Sequence, residues 1–348
     1  IYIYQFIPNS QIIPMKLWRA LFRVFFYTMY KIEVKGLENY EKSGKRTVII
    51  ANHLSYIDPA LIATYIPENI QFAINATISK EWWVKPFLKI VRTYPIEPNN
   101  AMALKSLIEE VKKNRKIAIF PEGRTSVTGS LMKIYEGPGM IADKANATIL
   151  PIRVDGTQFT RFSKVRKLMR GKFTLRRKIT ITILPPVKVT PPSSLDNRER
   201  RKYIGHALYD LMSDMMFESS DYKETVFQTL INASKIYGKK AQIMQDINNN
   251  SASYNSLLLK AFILANLVSR DTKSGEKVGL MLPNMVGSAI TFFGMQAAGR
   301  VPAMINFTSG PSNVISACET AQVKTIYTSK LFIKKAELKE LVDSVSES

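Results

Sequence analysis

The 348-residue sequence contains one cysteine, Cys318, and only two histidines, His53 and His206. A lone cysteine excludes an internal disulfide and a zinc site built from cysteines, and it is typical of a reducing compartment. Cys318 is predicted to be a core residue, because Val314, Ile315 and Cys318 follow helical spacing. His206 is predicted to be structural or exposed, which leaves His53 as the histidine to consider for chemistry.

Acidic residues are scarce, since 28 Asp and Glu accompany 49 Lys and Arg and the formal net charge is +21. Residues 1–220 hold 35 basic and 18 acidic residues (+17), whereas residues 221–348 hold 14 and 10 (+4), which indicates a domain boundary near 220. Such an excess predicts a polyanionic partner, either nucleic acid or an anionic membrane.

The basic residues are densest in 161–178, where nine of eighteen residues are Lys or Arg. No helix-turn-helix, zinc finger or RNA-recognition motif accompanies them, so nucleic-acid binding is disfavoured. A surface for anionic lipid headgroups or for an acidic carrier protein is the preferred interpretation, and a solvated charged loop is the alternative.

Long uninterrupted apolar runs are also missing, and neither a transmembrane helix nor a signal peptide is predicted. Near the start, apolar side chains at helical spacing alternate with basic ones, as in a helix that lies in the membrane interface. A core helix of a soluble domain is the alternative. Residues 1–14 are interpreted as an extension that precedes Met15. The side chains predicted to contact a membrane are Trp18, Arg19, Phe22, Arg23 and Phe25.

Short apolar runs alternate with helix-period stretches throughout residues 15–220. This alternation predicts an α/β domain with a mostly parallel sheet, in which sites form at the carboxyl ends of strands. A helix is predicted around 104–111, with Asn100 as its cap. Strands are predicted at 47–51, 70–74, 117–120, 149–154 and 179–183.

Two polar clusters follow predicted strands. The first runs from Asn52 to Asp58, where His53 could remove a proton near neutral pH while Asp58 orients its ring. A surface histidine with a helix-capping Asp58 is the alternative. The second is the run Phe-Pro-Glu-Gly-Arg-Thr-Ser at 120–126, in which Arg124 could contact a phosphate. A structural Glu–Arg pair is the alternative there.

Together, the cluster 52–58 and the run 120–126 resemble the glycerolipid acyltransferase family, which contains the lysophosphatidate acyltransferases. Residues 149–154, with Pro151, resemble the fourth block of that family, a strand that lines the acyl site. The resemblance implies that His53 is the general base on the acceptor hydroxyl and that Asp58 orients it. It also implies that the acceptor is held by Glu122, Gly123, Arg124, Thr125 and Ser126.

The second block departs from the family pattern. Lysophosphatidate-type enzymes carry an arginine there, whereas this sequence has Glu97 and Pro98, and the nearby Arg92 falls earlier. The departure favours a lysophospholipid whose phosphate is a diester, with lysophosphatidate acylation as the alternative.

The runs 128–139, 281–284 and 302–306 are similar to the family of bifunctional 2-acylglycerophosphoethanolamine acyltransferase / acyl-[acyl-carrier-protein] synthetases. This likeness implies an acyltransferase domain at 15–220 that takes an acyl group from carrier protein or coenzyme A and needs no cofactor. It implies a phospholipid membrane and acyl carrier protein as partners. The expected location is the cytoplasmic face of a bacterial inner membrane.

Residues 221–348 resemble an incomplete α/β segment of an adenylate-forming ligase. ATP and Mg²⁺ would serve only a full ligase half, whose nucleotide loop, metal-binding acid and catalytic lysine would lie beyond Ser348, so fatty-acid activation is not expected of this chain. A basic protein that binds lipid without catalysis is the remaining alternative for the whole. A serine hydrolase is disfavoured, because Gly-x-Ser-x-Gly is absent from the sequence.

Overall fold

A computed structural model describes residues 15–67, 70–82, 84–88, 91–96, 101–165 and 176–347. The chain divides into two compact units, Ile1–Asp221 and Tyr222–Ser348. The predictions made for residues 1–14, Glu97, Pro98, Asn100 and 166–175 lie outside the described residues.

The first unit is built on a seven-stranded sheet. Its strands are β1 (Tyr30–Lys35), β2 (Thr47–Ala51), β3 (Gln71–Asn75), β4 (Thr93–Ile96), β5 (Ile117–Ile119), β6 (Thr148–Asp155) and β7 (Arg177–Ile183). Their order across the sheet is β1-β7-β6-β2-β5-β3-β4. All neighbouring pairs are parallel except β6 and β7, so the predicted mostly parallel α/β sheet is confirmed.

Helices cover both faces of this sheet. They are α1 (Met15–Met29), α2 (Leu37–Lys42), α3 (Asp58–Tyr65), α4 (Lys85–Leu88), α5 (Ala101–Lys112), α6 (Gly137–Lys144) and α7 (Asn197–Glu218). The central strand β2 is buried along its whole length. Its side chains alternate between the two cores: Ile49 packs with the residues of α1 and α3, and Val48 packs with those of α5, α6 and α7.

The buried side of α1 includes a residue that was predicted to contact a membrane. Trp18 and Phe26 are only 4% and 2% exposed and pack in the core. Trp18 therefore lies inside the unit, which disagrees with its predicted place on a membrane-contacting face. The outward side of α1 carries Leu17, Leu21, Val24 and Phe25, each more than half exposed. No helix in the described segments is long and apolar enough to cross a membrane.

Because β7 runs antiparallel to β6, the ends of further strands lie at the sheet edge where β6 ends. The carboxyl ends of β2, β5 and β6 lie at this edge, because these strands are parallel. Since β7 is antiparallel to β6 and parallel to β1, the amino ends of β7 and β1 lie at the same edge, with Tyr30 opposite Arg177. We call it the His53 edge, after the residue that follows β2.

The second unit holds a three-stranded parallel sheet, in the order β11-β10-β12, and a two-stranded antiparallel pair. Cys318 is buried in its core, and the predicted strand, helix and strand between 278 and 306 are present. Its strands are β8 (Gln242–Gln245), β9 (Ser251–Ser253), β10 (Lys277–Leu280), β11 (Val301–Met304) and β12 (Thr325–Tyr327). Its helices are α8 (Val226–Tyr237), α9 (Tyr254–Asp271), α10 (Val286–Ala297), α11 (Pro311–Ala321), α12 (Lys330–Lys335) and α13 (Lys339–Glu347).

Candidate active site

His53 and Asp58 meet at the His53 edge. The ring nitrogen Nδ1 of His53 lies 3.1 Å from Oδ2 of Asp58, and the carboxylate is fully buried. A carboxylate accepts hydrogen bonds, so Nδ1 carries a proton and the other ring nitrogen, Nε2, has a free lone pair in the neutral ring. About 15% of the His53 side chain is exposed, so the imidazole is partly open to solvent.

Asp58 also shapes the loop that carries His53. Its Oδ2 accepts hydrogen bonds from the backbone amides of Leu54 and Ser55, each at 2.7 Å. Asp58 is the first residue of α3, and Pro59 follows it at a position where a helix does not need an amide donor. The five-residue spacing between His53 and Asp58 is thus one closed turn between a strand and a helix.

Asn52 fixes the start of this turn to the neighbouring strand. Its side-chain amide donates to the carbonyl of Val154 at 2.9 Å and accepts from the amide of Val154 at 2.8 Å. Because β6 is buried and central, this pair of bonds holds the His53 loop against a rigid element.

Glu122 joins the two polar clusters. Its Oε1 accepts from the amide of His53 at 2.9 Å, and its Oε2 accepts from the amide of Met132 at 3.2 Å. The side chain is 2% exposed, and burial raises the pKa of its carboxyl, although the two amide hydrogen bonds oppose that rise. In this arrangement both carboxylate oxygens already bond to backbone, while acceptor binding by Glu122 stays a prediction.

Among the other residues of the 120–126 run, some are exposed and others are buried, one of them bonded to the His53 loop. Gly123 has a φ of +66°, a conformation that favours glycine. The next residue, Arg124, is exposed to solvent. Ser126 is buried, and its amide donates to the carbonyl of His53 at 2.6 Å. Thr125 is buried as well, and its hydroxyl has no hydrogen-bond partner among the described residues.

Phe120 and Pro151 are the apolar members of the site. The ring of Phe120 is stacked on the imidazole of His53, with centroids 4.2 Å apart and planes 25° apart. Pro151 lies on β6 opposite Ile50, two residues before the His53 loop begins. The ring of His53 is thus held on one face by Phe120 and at Nδ1 by Asp58.

A third loop, 156–165, contacts the His53 loop and was missed in the sequence. The hydroxyl of Ser163 donates to the carbonyl of Leu54 at 2.6 Å, and the amide of Tyr56 donates to the carbonyl of Phe162 at 3.2 Å. Ser55 and Thr160 share a hydrogen bond of 3.1 Å between their hydroxyls. The available signal was the Ser and Thr content of a segment that directly follows a strand end.

No cluster of three metal-ligating side chains occurs in the parts of the chain that the structure describes. The site holds the imidazole of His53, the carboxylate of Asp58 bonded to it and, on a neighbouring loop, the exposed side chain of Arg124. His206 lies apart from these residues on α7, where it is exposed.

Family models match both units. Residues 31–155 match the acyltransferase family, and residues 232–348 match the AMP-binding enzyme family. The chain thus carries an acyltransferase domain followed by an AMP-binding domain, which confirms the resemblance to a bifunctional acyltransferase and adenylate-forming ligase. His53, Asp58 and the 120–126 run all lie within the first match.

The similar curated proteins are plant acyltransferases. The chain is 28% identical over 146 residues to a chloroplastic 1-acyl-sn-glycerol-3-phosphate acyltransferase of Arabidopsis thaliana, covering 41% of this chain and 40% of that protein. It is 33% identical over 189 residues to a 1-acyl-sn-glycerol-3-phosphate acyltransferase of Cocos nucifera, covering 50% of this chain and 56% of that protein. The chain thus spans about half the length of these relatives.

Two solved structures are similar to the two parts. The 1-acyl-sn-glycerophosphate acyltransferase of Thermotoga maritima aligns with a TM-score of 0.42 at 24% identity, covering 57% of this chain and 79% of that one. A benzoate CoA ligase of Burkholderia xenovorans aligns with a TM-score of 0.31 at 17% identity, covering 35% of this chain and 24% of that one.

Proposed function

We propose that the first unit transfers a fatty acyl group from an acyl thioester to the free hydroxyl of a lysophospholipid, with His53 as the general base. The observation that carries the proposal is the contact of 3.1 Å between Nδ1 of His53 and the buried carboxylate of Asp58, at a strand end of a domain that matches the acyltransferase family.

The chemistry follows from the free nitrogen of His53. Nε2 removes the proton of the acceptor hydroxyl as its oxygen attacks the thioester carbonyl, and Asp58 stabilises the imidazolium that forms. Collapse of the tetrahedral intermediate breaks the C–S bond, and the imidazolium returns the proton to the departing thiolate. Assistance by a positioned base contributes about 100- to 10,000-fold to such a rate.

For the acceptor we propose 2-acyl-glycerophosphoethanolamine. Its support is the sequence of the second block, where Glu97 and Pro98 replace the arginine expected for a phosphomonoester. Lysophosphatidate is the second candidate, because the similar curated proteins carry the name 1-acyl-sn-glycerol-3-phosphate acyltransferase. In either case Arg124, exposed beside the His53 loop, is our candidate contact for the phosphate.

For the donor we propose acyl carrier protein thioesters or acyl-CoA, with no cofactor for the transfer itself. We also propose a peripheral place on the cytoplasmic face of a bacterial inner membrane, supported by the net charge of +21 and by the exposed apolar side of α1.

The test is an acyl-transfer assay of the purified chain with both acceptors and both donors. We expect turnover of lysophosphatidylethanolamine to exceed that of lysophosphatidate. We also expect His53→Ala to lower the rate by about 100-fold or more. His206→Ala is the matched control, because the second histidine is exposed on α7 and should leave the rate unchanged. Faster turnover of lysophosphatidate would overturn the headgroup assignment, and an unaltered rate in His53→Ala would overturn the mechanism.

A further inference from the structure

Three loops meet around His53, and each presents one apolar side chain to solvent. Tyr56 lies on the loop 53–58, Val127 on the loop 122–132 and Phe162 on the loop 156–165. Their exposed fractions are 38%, 44% and 50%. We call these three side chains the collar.

The three loops that carry the collar are joined by backbone hydrogen bonds. The amide of Tyr56 donates to the carbonyl of Phe162 at 3.2 Å. The amide of Ser126, the residue before Val127, donates to the carbonyl of His53 at 2.6 Å. The three collar side chains are therefore carried by adjoining loops at the His53 edge. Single exposed apolar residues are ordinary on protein surfaces, but several on one functional rim indicate a binding surface.

Cations accompany the collar. The Nζ of Lys164 lies 5.9 Å from the centre of the Tyr56 ring, and Arg124 is exposed on the loop that carries Val127. Within the described segments, neither Lys164 nor Arg124 forms an ion pair with an acidic side chain. Aromatic and apolar groups flanked by unpaired cations match the chemistry of an anionic lipid surface, where ester and phosphate groups lie above hydrocarbon.

The collar lies at the same edge of the sheet as one end of α1. That helix ends at Met29 immediately before β1, whose amino end is at the His53 edge. The amide of Arg176 donates to the carbonyl of Met29 at 3.0 Å, and the guanidinium of Arg176 lies 5.7 Å from the ring of Tyr27. The exposed side of α1 thus runs toward the edge that carries the collar.

We infer that the collar docks on an anionic phospholipid bilayer and that the acceptor reaches His53 directly from that bilayer. This inference rests on the proposed acyl transfer and deepens it, because it names the surface that faces the membrane. A lipid acceptor keeps most of its chain in the hydrocarbon layer until the hydroxyl reaches Nε2, so burial of the collar side chains is coupled to acceptor entry.

The test uses the full chain with Val127→Ser and Phe162→Ser combined. Both side chains are exposed, and the bond between Phe162 and Tyr56 uses only backbone atoms, so the loops should keep their contacts. The matched control combines Leu259→Ser and Ile263→Ser, which are 59% and 54% exposed on α9 of the second unit. Thermal unfolding of both variants checks that the fold is retained.

Two substrates separate membrane docking from catalysis. One is a long-chain lysophospholipid in vesicles of phosphatidylglycerol and phosphatidylcholine, and the other is a short-chain lysophospholipid that stays monomeric in water. We expect the collar variant to lose about tenfold in rate on vesicles and to stay within about twofold on the monomer. The α9 control should match the wild type on both.

Flotation with the same vesicles gives a readout that does not require activity. Weaker flotation of the collar variant than of the α9 control would support the inference even if no acceptor were turned over, whereas inactivity of the wild type would defeat only the proposed function. Equal losses on vesicles and monomer would overturn the inference, as would unchanged flotation. Unchanged flotation with a loss confined to carrier-protein donors would assign the collar to the carrier protein instead.

Discussion

At the scale of single residues, the backbone and the ring of His53 are both constrained. Its amide donates to Glu122, its carbonyl accepts from Ser126, its Nδ1 faces Asp58 and one face of its ring contacts Phe120. If His53 is the base that we propose, a ring held in this way needs little reorganisation before proton transfer, which is how positioned groups accelerate reactions. It also follows that changes at its neighbours alter the rate without touching the substrate.

Asp58→Asn tests the orienting carboxylate. The asparagine oxygen can still accept from the amides of Leu54 and Ser55, so the loop should keep its shape. The neutral side chain cannot stabilise an imidazolium, and we expect kcat to fall by about 100-fold or more with little change in KM.

Asp58→Ala is the comparison for that experiment. It leaves the two backbone amides without their acceptor and should lower the free energy of unfolding by about 1–3 kcal/mol, measured by urea denaturation. A wild-type kcat in Asp58→Asn would show that the side chain of Asp58 only holds the loop before α3, through the amides of Leu54 and Ser55.

Glu122→Gln tests the carboxylate that joins the two clusters. One of its oxygens becomes an NH₂ group, which would face the amide donor of either His53 or Met132 and lose that hydrogen bond. A single buried bond of this kind contributes about 1.5–3 kcal/mol, so we expect the chain to remain folded. We expect the rate to fall by about tenfold, because the loop that carries His53 is then held less firmly. Activity assays with circular dichroism measure both quantities.

The same substitution has a pH signature of defined sign. Burial raises the pKa of Glu122, so the folded state holds this proton more tightly than the unfolded chain does. The free energy of unfolding of the wild type, compared with Glu122→Gln, should be greatest below the ordinary glutamate pKa and should decrease as the pH rises through the raised value. A difference that grows with pH would contradict the assignment.

At the scale of elements, the turn after β6 controls the third loop of the site. Gly156 has a φ of +94°, and a Cβ placed there would lie 2.3 Å from the carbonyl oxygen of Lys178. Gly44 has a similar φ of +78° but nothing within 4 Å. The two glycines thus share a left-handed backbone conformation, which would strain an alanine, and they differ in the space available to a Cβ.

Substituting alanine at Gly44 or at Gly156 separates the cost of backbone strain from the cost of a steric clash. Gly44→Ala should cost about 1–2 kcal/mol of unfolding free energy, from the left-handed conformation alone. Gly156→Ala should cost about 1–3 kcal/mol more, because the backbone of β7 must move away. It should also reduce activity, since loop 156–165 supports the His53 loop. Equal melting temperatures for the two variants would show that the turn can relax freely.

The sequence predicted the elements better than their arrangement. The apolar run at 47–51 has the same bounds as β2, and the spacing at 104–111 lies inside α5. The antiparallel placement of β7 was not predictable from its alternating pattern, because alternation reports one buried face and not the direction of the neighbour. Trp18 was misplaced for a related reason: helical spacing shows that apolar residues share a face, and does not show what that face contacts.

The site shows the same limit. His53 and Asp58 were identified because they follow a strand at a spacing that a turn can close. The bond of Glu122 to the amide of His53 joins residues 69 positions apart, so only the fold could show it. The hydroxyls of loop 156–165 carried no recognisable motif, and their role depends on the neighbouring strand ends.

At the scale of the whole molecule, the net charge of +21 is divided unevenly between the two units. If lipid attraction depended only on total charge, removing any three cations would weaken vesicle binding equally. If it depends on the His53 edge, position matters. Arg161, Lys164 and Arg176 are exposed at that edge, whereas Lys239, Lys240 and Lys260 are exposed in the second unit.

Two triple variants provide the comparison: in one, glutamine replaces the three cations at the His53 edge, and in the other it replaces the three in the second unit. Both variants lose the same amount of charge. Each cation near an anionic bilayer contributes about 1 kcal/mol, so loss of the edge set should weaken binding by up to about 100-fold at low salt. The set in the second unit should have a much smaller effect, and 0.5 M salt should reduce the difference between the variants, since screening removes the long-range attraction at about that ionic strength. Flotation on phosphatidylglycerol vesicles measures both. Equal losses from the two sets would mean that the charge acts as a diffuse field, and the edge would then have no special relation to the membrane.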